Sequence, residues 1–228
     1  MQHLLIVETI LRDRAQFFAE IRDSADLPHK IRAMLLSSFT FLAIYGAIMG
    51  LSSSLPQAAS SFVKLPVLFL ATLLICAPSL YILNIMFGSR QSLMQNVAFI
   101  LTAICTSSVL LVSFAPITLF FLITTSEYQF FKLLNVAFFV VAGGVGLLFL
   151  WRALRIFESW DHEEGRTVRR GIFYVWALLY GFVGSQMAWA LRPFMGIPGY
   201  EFILLEQRGG NFYADVFESL RILLGFAQ

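Results

Sequence analysis

Residues 91–126 read QSLMQNVAFILTAICTSSVLLVSFAPITLFFLITTS, thirty-six residues without a formal charge between Arg90 and Glu127. As one α-helix rising 1.5 Å per residue this stretch would run ~54 Å, against a hydrocarbon core of ~30 Å. One straight crossing cannot use all of it. Residues 93–114 suffice for a span, and Pro116 then lacks the N–H that a clean continuation of the helix needs. The remaining 117–125 are too few to cross back. They lie at the interface, dip in as a re-entrant leg, or extend a tilted helix.

The composition fits this reading. Of 228 residues, 58% are hydrophobic and only 13% charged, and 24 are Phe. A soluble domain of that length has too little interior for so much apolar surface, whereas lipid accommodates it. The expected fold class is therefore all-α, a polytopic transmembrane helical bundle of about five spans. A net charge of +2 is too weak to imply nucleic acid. Cys76 and Cys105 fall inside apolar stretches and read as small packing residues, since a metal site needs more ligands.

Working outward, the spans fall at about 33–51, 65–87, 93–114, 130–151 and 171–191. The chain divides into an amphipathic head (1–29), a transmembrane domain (30–192) and an interfacial tail (193–228). The head carries Leu4, Val7, Ile10, Leu11, Phe17, Phe18 and Ile21 at helical spacing among charged residues, so it lies on the membrane or on the protein's own helices. Its first residues lack the basic region of a signal peptide. Asp13 followed by Gln16 reads as a capping box opening a second short helix, and Asp26-Leu27-Pro28 as the start of span one. Residues 52–61, with Pro56, read as a polar loop, and Pro78 predicts a kink in span two.

The loop 158–170 is the most charged segment. In the tail, Gly196, Pro198 and Gly199 begin an irregular stretch, and Gly209-Gly210 precede a final helix capped by Asn211. Phe212, Val216, Phe217, Leu220, Leu223 and Leu224 give that helix an apolar stripe for the membrane surface or a partner. Five spans put the ends on opposite sides. Lys and Arg number eleven on the head side and five on the tail side, which predicts a cytoplasmic head and an outside tail.

No span carries an ionisable side chain in its central region, which argues against coupled transport, where charge must move at membrane depth. A passive channel or small-solute pathway remains the alternative, lined by Asn84, Gln95, Asn96, Thr102 and Thr106, with Ser37, Ser38, Thr40, Ser107 and Ser108 nearby. Hydrogen bonding between helices is the preferred use for these groups. Gly46 and Gly50 in span one form one small-residue pair. Gly143, Gly144 and Gly146 in span four, and Ala177, Gly181 and Ser185 in span five, predict further close helix packing within or between chains.

Enzymatic motifs find little support. His162-Glu163-Glu164 lacks the second His of a zinc helix, because position 166 is Arg. Gly184-Ser185 has no base at membrane depth, since His3, His29 and His162 all lie outside the spans. No catalytic, cofactor or metal residue is expected. Trp189 and Arg192 stand where an interfacial aromatic and a snorkelling cation belong, and Arg192 can pair with Glu201, Glu206 or a lipid phosphate.

The run Leu11-Arg-Asp-Arg-Ala-Gln-Phe17-Phe18 before five spans resembles the lead-in of bacterial members of the Yip family, small five-span membrane proteins. Asp26-Leu27-Pro28 departs from the eukaryotic Asp-Leu-x-x-Pro signature, its Pro following Leu directly. The resemblance covers about residues 4–191 through topology, leaves the tail outside it, and carries over no functional residue. Eukaryotic members interact with Rab GTPases; the bacterial type implies no such binding. The location that goes with the resemblance is a bacterial inner or internal membrane. The function expected is non-catalytic: a scaffold, accessory subunit or assembly factor touching membrane lipids and other membrane proteins, or itself as a homo-oligomer.

Overall fold

The computed structural model describes residues 2–86, 91–125, 127–158, 166–196, 201–206 and 209–226. Residues 88–90, the charged segment 159–165 with His162, Glu163 and Glu164, and Pro198, Gly199 and Tyr200 lie outside these. The described elements are helices: α1 (Gln2–Arg12), α2 (Arg14–Arg22), α3 (Leu27–Gly50), α4 (Leu55–Met86), α5 (Leu93–Thr124), α6 (Tyr128–Glu158), α7 (Arg166–Ala190) and α8 (Phe212–Leu223). From α3 to α7 each is long and apolar enough to cross a bilayer. The chain is an all-α integral membrane protein with five candidate spans.

One sequence expectation needs correction, and one alternative left open by the sequence is decided. Only residues 52–54 of the expected loop 52–61 connect the two helices, because α4 starts at Leu55. Pro56 falls in the first turn, where its missing N–H has no partner to lose, and Ser54 Oγ accepts the Gln57 N–H at 3.3 Å as an N-cap does. The helices also overrun their expected spans. α5 continues through Pro116 to Thr124, so 117–125 extend a long helix and form no re-entrant leg. A proline removes one hydrogen bond but leaves the flanking turns intact, and the polar groups beyond it, Thr118 and Thr124, bond carbonyls four residues back within the helix.

Helix starts elsewhere follow their local chemistry. Ser92 and Gln95 form a complete capping box, Ser92 Oγ accepting the Gln95 N–H and Gln95 Oε1 accepting the Ser92 N–H. Asp13 makes only half of one: it accepts from Gln16 N, while the Gln16 amide turns to Glu20. Asn211 caps α8 by accepting from Ala214 N at 2.9 Å. Ser24 and Asp26, at φ 57° and 50°, turn the chain from α2 into α3, and Asp tolerates this left-handed region better than most residues.

In the bundle α3 packs between α4 and α5, α6 lies on α5, and α7 lies on α4, while α6 and α7 meet each other only marginally. The α3–α4 seam is set by glycine. A Cβ on Gly46 would collide with the Ser61 carbonyl oxygen, and one on Gly50 would lie 2.6 Å from that of Gln57. Gly146 similarly brings α6 onto Ala103 and Ser107 of α5. The turn beside Pro78 is held from three sides. Ser79 Oγ and Trp176 Nε1 donate to the Cys76 carbonyl at 2.8 and 3.0 Å, and Asn96 Nδ2 donates to that of Ala77 at 3.0 Å. Cys76 and Cys105 are free thiols in this core.

The head settles on the protein's own helices. Ile10, Phe17, Phe18 and Ile21 are buried, with Phe18 against Phe99 of α5. Gln95 fixes the junction: its Nε2 donates to the carbonyls of Ile21 and Arg22 and to Ser24 Oγ, at 3.3, 2.6 and 3.2 Å. Lys30 adds an ion pair to Glu20 at 3.1 Å and a bond to the Ala25 carbonyl at 2.5 Å.

Candidate functional site

The densest long-range polar chemistry lies at the opposite end of the bundle, where α3 ends and α4 begins. Gln57, Ser61 and Lys64 occupy one face of α4 because they are spaced by four and three residues. All three are buried. That face meets the irregular segment after α7, which brings backbone carbonyls to it. Gln57 Nε2 donates to Pro193 O at 2.7 Å, Ser61 Oγ to Phe194 O at 2.5 Å, and Lys64 Nζ to Pro193 O at 3.1 Å. Lys64 Nζ also donates to the carbonyl of Leu204.

The segment is pressed close to the bundle. Gly196 sits against Ser53, where a Cβ would come 2.8 Å from the Ser53 Cβ. Beneath it lies a second polar group joining three spans. Tyr45 OH donates to Asn135 Oδ1 at 2.8 Å and lies 3.3 Å from Thr118 Oγ1, all three being fully buried. Asn135 Nδ2 bonds the Phe131 carbonyl at 2.8 Å and reaches Met195 Sδ at 3.9 Å. These groups are satisfied and rigid, as buried polar networks must be. They form a seat that holds the tail.

Arg192 and Trp189 stand at the rim. The guanidinium carbon lies 3.5 Å from the centroid of the Trp189 ring, Arg192 Nη1 donates to the Trp189 carbonyl at 2.9 Å, and Nε lies 4.0 Å from Glu206. The expected pairing with Glu206 is thus present at the edge of ion-pair distance, supported by a backbone bond from Glu206 N to Arg192 O at 3.1 Å. Farther along, α8 lies across α6 and α7. Lys132 and Asp215 pair at 2.5 Å, Ser185 Oγ and Tyr213 OH bond at 2.9 Å, and Phe182 stacks on Tyr213.

The other sequence candidates separate. Gln95 and Asn96 direct their amides at backbone carbonyls of α2 and α4. Thr102 and Thr106 bond the carbonyls four residues back, at Ala98 and Thr102. Asn84 is buried near the far end of α4. Of the small residues, Gly46, Gly50 and Gly146 pack within the chain, while Cβ atoms on Gly143, Gly144 and Gly181 would meet nothing within 4 Å. Ala177 packs against the core and Ser185 holds α8. Lys64, Tyr45 and Asn135 were not singled out from the sequence. The spacing of Gln57, Ser61 and Lys64 was the available signal for one of them.

No protein-family model, curated protein or solved structure matches this chain.

Proposed function

We propose that this protein is a non-catalytic membrane scaffold, accessory subunit or assembly factor working through contacts with other membrane proteins or copies of itself. One observation carries the reading. Among the helical glycines, Gly46, Gly50 and Gly146 are consumed by packing within the chain, Gly184 is in ordinary contact with Thr72, and Gly143, Gly144, Gly171 and Gly181 have open space before them. The open ones lie on α6 and α7, whose backbones meet only marginally and which join through Trp151 against Phe173 and Tyr174. In lipid, where apolar burial drives no association between helices, small residues allow backbone approach and dispersion contacts. Glycine otherwise weakens a helix by about 0.5–1 kcal/mol relative to Ala, so open glycines on these spans suit a helix from a partner.

The hydrogen bonding supports this over a polar pathway, since Gln95 and Asn96 tie α5 to α2 and α4 while Thr102 and Thr106 are spent on carbonyls of α5 itself. The five spans with a docked head are in keeping with the Yip-family layout, which enters the proposal through that layout alone. The excess of Lys and Arg on the head side supports a cytoplasmic head. The bacterial inner or internal membrane goes with the family layout.

The test is the mass and composition of the complex purified at native expression in a mild detergent or lipid disc. Other subunits at fixed stoichiometry, or a homo-oligomer, lost on combining Gly144→Leu with Gly181→Leu, is the expected result. A bare monomer at native expression sinks the reading.

A further inference from the structure

We infer that α8 is an interfacial helix whose apolar flank is covered by the acyl chains of the leaflet at the tail end, not by protein. The surface of α8 divides into three sectors. At about 100° per residue, Phe212, Asp215, Val216 and Ser219 share the side that faces α6 and α7. Asp215 meets Lys132 there, and Ser219 is buried. Tyr213, Phe217, Leu220 and Leu224 fall within about 60° of one another on the next side. All four are exposed, Phe217 at 63% and Leu224 at 60%. Ala214, Glu218 and Arg221 make the third side, where Glu218 and Arg221 pair at 3.3 Å, each about half exposed. Ile222 marks its border with the docked side. A helix docked on one side, apolar on the second and charged on the third fits a bilayer boundary.

Continuity with the spans names the occupant. The apolar flank runs without a break into the exposed face of α7 through the stack of Tyr213 on Phe182, and that face continues to Leu178, 77% exposed. Depth agrees. α7 has 25 residues, so it overruns a ~30 Å core by roughly 4 Å at each end. Phe182 lies eight residues before Ala190, which places it roughly 8 Å inside the boundary. Interfacial helices bury their apolar sides ~5–10 Å deep. Phe202, Ile203, Leu204 and Leu205 are exposed as well, on an irregular stretch that Lys64 and Arg192 hold at the bundle. Irregular backbone belongs at the boundary, where water reaches its polar groups.

The test places a spin label on single cysteines at 213, 214, 217, 218, 220, 221 and 224 of the full chain, in lipid discs holding one copy. Cys76 and Cys105 stay in place as buried thiols, and the unsubstituted chain sets the background. Collision with dissolved oxygen, enriched in lipid, should exceed collision with a water-soluble nickel chelate several-fold at 213, 217, 220 and 224. The order should reverse at 214, 218 and 221. Equal access of the chelate to 217 and 218 would put the flank in water and overturn the inference. Exclusion of both reagents from 217 and 220 would show that protein covers it, and overturn it equally.

Discussion

Lys64 Nζ lies 3.1 Å from the carbonyl oxygen of Pro193, a residue 129 positions away in the chain. The same ammonium donates to the carbonyl of Leu204, so one cation near the start of α4 holds Pro193 and Leu204 together. Hydrogen bonds to a charged donor contribute about 1.5–3 kcal/mol each, roughly twice a neutral bond. Lys64→Met keeps most of the side-chain volume and removes both bonds. Amide hydrogen exchange across residues 201–206 should accelerate ~10–100-fold, while α5 is unaffected. Unchanged exchange in 201–206 would mean the contacts to Gln57 and Ser61 hold the segment alone.

Gln95 ties the head to the bundle through three acceptors, so Gln95→Leu should release it. The Arg22 carbonyl loses the Gln95 amide, at a cost of about 1–3 kcal/mol, while that of Ile21 keeps the Ser24 N–H. Because the capping box of α5 uses the same side chain, Gln95→Glu is the informative companion. It keeps an acceptor for Ser92 N but loses the donor. Both variants should show faster proteolysis within the head; resistance equal to the parent would assign docking to Phe17, Phe18 and Ile21 instead.

Acid should loosen the same junction. Glu20 is held below the usual carboxylate range, first by the hydrogen bond from Lys30 and then by that from Gln16. A carboxylate with a lowered folded-state pKa stabilises above its unfolded value, about 4.3, and loses that contribution as pH falls through the folded value. Asp23, lowered by the bond from Arg22, acts in the same direction. Head docking should therefore be constant from neutral pH to about 5 and weaken below about 4. Glu20→Gln should flatten the acid limb as seen by the distance between spin labels on the head and α5.

Glycines of opposite surroundings should respond oppositely. Gly46→Ala would force α3 and α4 apart at the Ser61 carbonyl, costing about 1–3 kcal/mol. Gly181→Ala adds a methyl in open space on a helix and should stabilise the isolated chain by up to about 1 kcal/mol. Thermal unfolding of both in one detergent checks the contrast; equal shifts would contradict it.

Five spans and both amphipathic ends were legible because apolar length and helical periodicity are local properties. Trp189 and Arg192 were also marked by local sequence, and they pack on one another. The start of α4 was misread because Ser and Pro count towards loops, although Ser54 and Gln57 carry the capping spacing with Pro56 between them. The seat was hidden for a different reason. Lys64 is partnered by backbone carbonyls, which every residue has, so nothing in residues 193–204 advertises the match. Nor could spacing separate Gly146 from Gly143 and Gly144, since that depends on which side of α6 faces α5.

The seat also sets a schedule. Synthesis runs from the head, so α4 enters the membrane long before Pro193 and Leu204 have been made. Throughout that interval Lys64, Gln57 and Ser61 carry donors whose acceptors do not yet exist. A cation and polar groups on a span favour the water boundary until they are partnered. Arrival of the tail thus marks a finished bundle, and a chain interrupted after α6 would be distinguishable by the bare ammonium at its edge.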